Sequence, residues 1–83
     1  KYKGQWSKDQ KHGHGKIAYH NGDKYKGQWR HDFQHGKGTY VFSTGDRYEG
    51  EWQNGKFHGE GIYFYSNGSI RAGKWTNGTL IEQ

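Results

Sequence analysis

Six histidines lie in 83 residues, together with Ser, Asp and paired glycines, residues able to ligate a metal, activate a hydroxyl or cradle a phosphate. Histidine at this density suggests metal binding. His12, His35 and His58 recur every 23 residues. On successive hairpins, equivalent positions stand two strands apart, about 9.6 Å. Ligands held about 2.1 Å from zinc lie within roughly 4 Å of one another. These three therefore cannot share an ion, and each imidazole is expected to hydrogen-bond the turn backbone or pack beside the next Trp. His12-x-His14 offers at most a weak adventitious site. Gly-x-Gly would cradle a phosphate only if a helix followed it with its N–H groups facing the anion, and no helical spacing follows Gly15, Gly38 or Gly61. The Ser, His and Asp residues sit at turn positions and in no recognised catalytic motif. The chain has no Cys, so it has no thiol nucleophile, disulfide framework or cysteine-bound zinc. The residues read as non-enzymatic, with no catalytic group, metal or cofactor.

The elements that position these residues are repeats. Trp6, Trp29, Trp52 and Trp75 are each 23 residues apart, and so are Tyr2, Tyr25 and Tyr48. Gly4, Gly27, Gly50 and Gly73 keep the interval, as do Gly13/Gly15, Gly36/Gly38 and Gly59/Gly61, and then Gly22, Gly45 and Gly68. The whole chain, 1–83, reads as one repeat array with units 2–24, 25–47 and 48–70 and a partial unit 71–83, in which Arg71 stands in place of Tyr. Tyr-x-Gly-x-Trp alternates apolar with polar positions, the two-residue period of a strand. The second half of each unit alternates too, with Gly38, Tyr40 and Phe42 on one side and Thr39 and Val41 on the other. Asn54-Gly55 and Asn67-Gly68 are turn dipeptides. The expected fold is all-β: about seven strands pairing in sequence and antiparallel, as one elongated, twisted sheet of consecutive hairpins. Tyr2, Trp6, Tyr25, Trp29, Tyr40, Tyr48, Trp52, Tyr63 and Trp75 are expected to share its aromatic face. Alternating rings with glycine lets a ring lie across the bare backbone of the next strand.

Composition agrees. Only 28% of the residues are hydrophobic, yet 18% are aromatic, so rings supply most of the apolar material. The mean hydropathy of −1.43 would suit a disordered chain, but that many rings argue for packing. No apolar run approaches the roughly 18 residues of a membrane-spanning helix. The chain carries no Met and no signal-peptide pattern, and it reads as a piece of a longer protein.

The run Tyr48-Glu49-Gly50-Glu51-Trp52-Gln53-Asn54-Gly55-Lys56-Phe57-His58-Gly59-Glu60-Gly61-Ile62-Tyr63 resembles the consensus of the MORN repeat (membrane occupation and recognition nexus), and the likeness covers essentially the whole chain. It departs at the first turn of units one and two, where Asp9 and Asp32 stand in place of the glycine at Gly55. The resemblance implies an elongated antiparallel sheet with an aromatic groove and no catalytic activity. It also implies a scaffold that binds or organises proteins in a multi-subunit assembly, with phospholipid binding claimed for several members. Radial spoke heads, junctophilins, plant phosphatidylinositol phosphate kinases, myosin-binding adaptors and parasite cytoskeletal scaffolds carry such arrays. By that analogy the expected setting is intracellular, in the cytoskeleton or a ciliary axoneme, or at the cytoplasmic face of a membrane.

Two surfaces stand out as binding candidates. The formal charges of 1–24, 25–47, 48–70 and 71–83 are +4, +2, −2 and +1. Lys1, Lys3, Lys8, Lys11 and Lys16 form a basic end suited to anionic phospholipid or an acidic protein. Nucleic acid is not expected, because the rings are committed to packing. On the face away from the rings, unit three places Ile62 and Phe64 where the other units have Lys16, Ala18, Thr39 and Val41. With Leu80 and Ile81 they form a candidate partner surface, covered by flanking residues, by a second copy in a homodimer or by a partner helix.

Overall fold

Each half-unit alternates ring or glycine with a polar residue, and each folds as one strand. The computed structural model describes residues 1–81. They form β1 (Tyr2–Ser7), β2 (Gln10–Ala18), β3 (Lys24–Arg30), β4 (Phe33–Val41), β5 (Arg47–Gln53), β6 (Lys56–Phe64), β7 (Ile70–Thr76) and β8 (Thr79–Ile81). All eight join one antiparallel sheet in sequence order. Its extents are 40 × 25 × 14 Å, an elongated slab. The sequence suggests about seven strands; the tail adds an eighth, because Asn77-Gly78 closes a hairpin of its own.

Two kinds of turn join the strands. Lys8-Asp9, His31-Asp32, Asn54-Gly55 and Asn77-Gly78 hold both central residues at positive φ, which is type I′ geometry, whose twist matches that of the flanking strands. Asp9 and Asp32 adopt it at φ 64 and 69, where the third unit has Gly55 at 84. Between units the loops are longer. Tyr19 N donates to Asp23 O at 2.8 Å and Gly22 N to Tyr19 O at 3.1 Å, and the pattern repeats at Phe42/Asp46 and Tyr65/Ser69.

The two glycines of each Gly-x-Gly do different work. The pairing shifts between Gly27 and Trp29: Gly27 faces Gly38, but Trp29 faces Gln34. Two steps on β3 thus span four on β4, a bulge that bends the strand. Gly36 sits in this bulge at φ 82, a conformation that favours glycine. Gly38 is needed for space instead, because a Cβ there would run into the Tyr25 ring and hydroxyl.

That contact organises the core. Tyr25, Trp29, Tyr48, Trp52 and Trp75 are buried on one face. Each repeat Tyr meets its own Trp and the next one edge-on: Tyr25 stands 5.1 Å from Trp29 and 5.2 Å from Trp52, and Tyr48 stands 5.3 Å from Trp52 and 5.5 Å from Trp75. This is the favoured geometry for aromatic quadrupoles. The indole N–H groups of Trp29, Trp52 and Trp75 donate to the carbonyls of Gly15, Gly38 and Gly61 at 3.1, 3.1 and 3.2 Å. Each unit is thereby locked to the one before it.

Candidate docking groove

Because the rings and the strand-central glycines face one way, the other face carries the polar half of the pattern. Successive cross-strand pairs line up there in two rows. One runs Lys3, Lys16, Lys26, Thr39, Glu49, Ile62, Ala72. The other runs His14, Gln28, Lys37, Glu51, Glu60, Lys74, Ile81. Between them lies a floor of bare glycine backbone, and the space forms an open groove of about 1090 Å³ crossing β1 to β7. A second hollow of about 680 Å³ lies beside it over β1–β4, lined by Lys1, Lys3, Lys16, Lys24 and Lys26 together with residues that include Tyr2, Ile17, Tyr25 and Val41.

The groove wall is held by a bond that repeats with the chain. The Gln5, Gln28 and Glu51 side-chain oxygens each accept the backbone N–H nine residues on, from His14, Lys37 and Glu60, all at 2.7 Å. These side chains fold over the bulge glycines, where a Cβ at Gly13, Gly36 or Gly59 would meet them. This position is not apparent in the sequence, because Gln and Glu there look like ordinary solvated residues.

The strand register puts Tyr2, Trp6, Tyr25, Trp29, Tyr40, Tyr48, Trp52, Tyr63 and Trp75 on one face, buried to different degrees. Trp6 is 57% exposed, whereas Trp29, Trp52 and Trp75 are 4–6% exposed. The rings pack edge-on into one another, and the open groove of about 1090 Å³ lies on the opposite face.

The candidate partner surface divides. Ile62 and Ile81 lie in the groove rows, 38% and 46% exposed. Phe64 lies on the same face at the strand end, where the Arg47 guanidinium covers it at 4.2 Å. Leu80 does not belong with them. It pairs with Trp75, takes the place of Phe57 in the preceding unit and packs on the core. Ile70 opposite Phe64 is more exposed than any of these, at 60%.

The basic group divides as well. Lys3 and Lys16 are direct cross-strand partners. Lys11 lies on the aromatic face, its ammonium 5.5–5.7 Å from the Tyr2, Trp6 and Trp29 rings and 3.8 Å from Asp32. Lys8 occupies the first turn at φ 50, and the amino terminus of Lys1 donates to Ala18 O at 2.7 Å. The register adds Lys24, Lys26 and Lys37 to the groove side, which a count by unit does not reveal.

Behind the sheet two carboxylates tie neighbouring units. Asp23 accepts the Tyr40 hydroxyl at 2.7 Å and Ser43 N at 2.8 Å; Asp46 accepts the Tyr63 hydroxyl and Ser66 N, both at 2.8 Å. The Tyr40 phenol, and then Ser43 N–H, hold the Asp23 carboxyl below its ordinary range. For Asp46 the Ser66 N–H comes first, then Tyr63. Burial drives the phenols the other way: Tyr48 and Tyr63 are pushed up to about 12, and Tyr25 and Tyr40 are also raised. Of the two arrangements expected for the repeated imidazoles, hydrogen bonding to the turn backbone is not found among the described residues; His35 Nδ1 and His58 Nδ1 are buried there without a hydrogen-bond partner. Nor do three His, Asp or Glu gather as a metal-ligand group among those residues. The groove is basic over β1–β4, carries Glu49, Glu51 and Glu60 over β5–β6 with Lys74 opposite Glu60, and is apolar at Ile62 and Ala72. A family model described as the MORN repeat matches residues 2–24, 25–47 and 48–70. No curated protein matches the chain.

Proposed function

The chain belongs to the MORN-repeat family, and from that premise we propose that it is a non-catalytic scaffold that docks a segment of a partner protein in the groove opposite its rings. The observation that carries this is the groove's make-up: a glycine floor crossing β1–β7 between two walls of segregated charge. The rings, the exposed Trp6 apart, pack against each other instead. The assembly it serves is cytoskeletal or axonemal on the family analogy. A pull-down from cytoskeletal extract tests this with the wild type, Thr39→Trp to fill the groove, Ile62→Asp to charge it, and Thr76→Ala outside it. The reading expects a partner held by wild type and Thr76→Ala and lost from both groove variants. A partner that all four retain overturns it.

A second reading has its own support. Lys3, Lys16 and Lys26 stand opposite one another on three adjacent strands, and such a patch attracts anionic lipid at about 1 kcal/mol per basic residue near the surface. In this reading the array is a peripheral membrane tether. Sedimentation with phosphatidylserine and phosphoinositide vesicles at physiological salt tests it. Binding abolished by Lys16→Glu/Lys26→Glu supports the tether, and no binding removes it.

A further inference from the structure

The groove's charges are ordered, and one local rule is broken where that order begins. Lys3 faces Lys16, and Lys16 faces Lys26. Like charges directly opposite across strands are destabilising. Among the described residues none of Lys3, Lys16 and Lys26 lies within ion-pair distance of a carboxylate, whereas Lys37 faces Glu51 across the strands; the ion pairs there include Lys11–Asp32 and Arg47–Glu49. A local conflict left uncompensated among those residues is characteristic of a binding site. Further along, Glu49, Glu51 and Glu60 follow on β5 and β6, Lys74 stands opposite Glu60 on β7, and Ile62 and Ala72 close the first row.

Strand spacing selects the shape of the occupant. The groove crosses its strands in steps of about 4.8 Å, six steps covering about 29 Å. A helix lying across them advances about 5.4 Å per turn, so one residue per turn meets each strand and about 19 residues fill the groove with a drift of about 4 Å. An extended segment presents one side chain per about 6.7 Å on a face and would drift about 11 Å over the same length. A single helix therefore stays in phase with the walls and an extended strand does not.

We infer that the groove takes one amphipathic helix of a partner protein whose groove-facing row reads acidic over β1–β4, basic over β5–β6 and apolar over the last strands. This rests on the docking reading above and adds its charge order. Either chain direction satisfies it, because the order of side chains along the axis is what the walls read. Carboxylates on the helix would neutralise Lys3, Lys16 and Lys26 together, and its basic turn would meet Glu51 and Glu60, since Glu49 already pairs with Arg47.

The test uses three fluorescent helical peptides of about 20 residues and the folded 83-residue chain. One peptide carries the order acidic, basic, apolar. The second has the same composition with the acidic and basic blocks exchanged, so that turning it round cannot restore the match. The third has Ala along the groove-facing row. Anisotropy titration at moderate salt should show the first binding at least about tenfold more tightly than the others. Lys16→Glu/Lys26→Glu should abolish that preference while circular dichroism shows the sheet intact. Equal affinity for the first two peptides overturns the charge order and leaves a groove that binds helices without reading charge. Binding of none of them overturns the order and the docking reading together. If phosphatidylserine vesicles then bind the wild type but not the lysine variant, the lysines serve a membrane instead.

Discussion

A single methyl group measures how closely the rings and glycines are matched. Gly38 lies under the Tyr25 ring. Gly38→Ala must displace a buried ring, and overpacking of this kind costs about 1–3 kcal/mol. Gly68 has nothing within 4 Å of an added Cβ and carries only its positive φ of 96. Gly68→Ala should therefore cost about 1 kcal/mol, and urea unfolding should rank the two in that order. The carboxylates give a second prediction at this scale. Hydrogen bonds hold Asp23 and Asp46 below the ordinary carboxyl range. A depressed folded pKa contributes stability above the unfolded value of about 3.9, lost as pH falls through the folded one. The urea midpoint should fall as pH drops below about 4, and Asp23→Asn/Asp46→Asn should flatten that dependence. A slope unchanged in the double variant would show that these groups do not carry it. The sequence places both Asp residues only at turns. Their phenol partners, Tyr40 and Tyr63, lie 17 residues on, and only the register of successive hairpins brings them together.

The hairpin is the element best written into the sequence, because its period of two and its turn dipeptides are local signals. The strand alternation, the face shared by the rings and the turns at Asn54-Gly55 and Asn67-Gly68 all follow from residues within one unit. The bulge is not local. It depends on how four residues of β4 face two of β3, and Gly36 and Gly38 look alike until that pairing is known. The misplacement of Leu80 has the same origin, since one position of register decides which face a strand residue takes. The turns offer their own test. Asp9 holds φ 64 in a type I′ turn that favours Asn-Gly. Lys8→Asn/Asp9→Gly should stabilise the chain by about 0.5–1 kcal/mol in thermal unfolding. The matching change at His31-Asp32 should do less, because Asp32 also accepts Lys11 N at 2.7 Å and that bond would be lost.

Over the whole molecule, charge is segregated along the axis on which the units stack. Unit-by-unit arithmetic already shows a basic end and an acidic third unit. It does not show that Lys26 and Lys37 extend the basic wall past the first unit while Lys11 leaves it for the rings, since both facts depend on strand register. The lysine row gives a prediction that separates stability from binding. Lys16→Glu replaces two repulsive cross-strand pairs with attractive ones and should stabilise the free chain by roughly 0.5 kcal/mol at low salt. It should weaken the partner's hold at the same time, as expected when a site keeps charges that its own fold does not need.

The central claim is that partners dock in the glycine-floored groove and not against the rings. Site-specific photo-crosslinking separates the two faces, with benzoylphenylalanine placed in turn at His14, on the groove wall, and at Trp6, the exposed ring of the aromatic face. A docked partner should crosslink from position 14 and not from position 6. Crosslinking from position 6 with none from position 14 would overturn the groove reading.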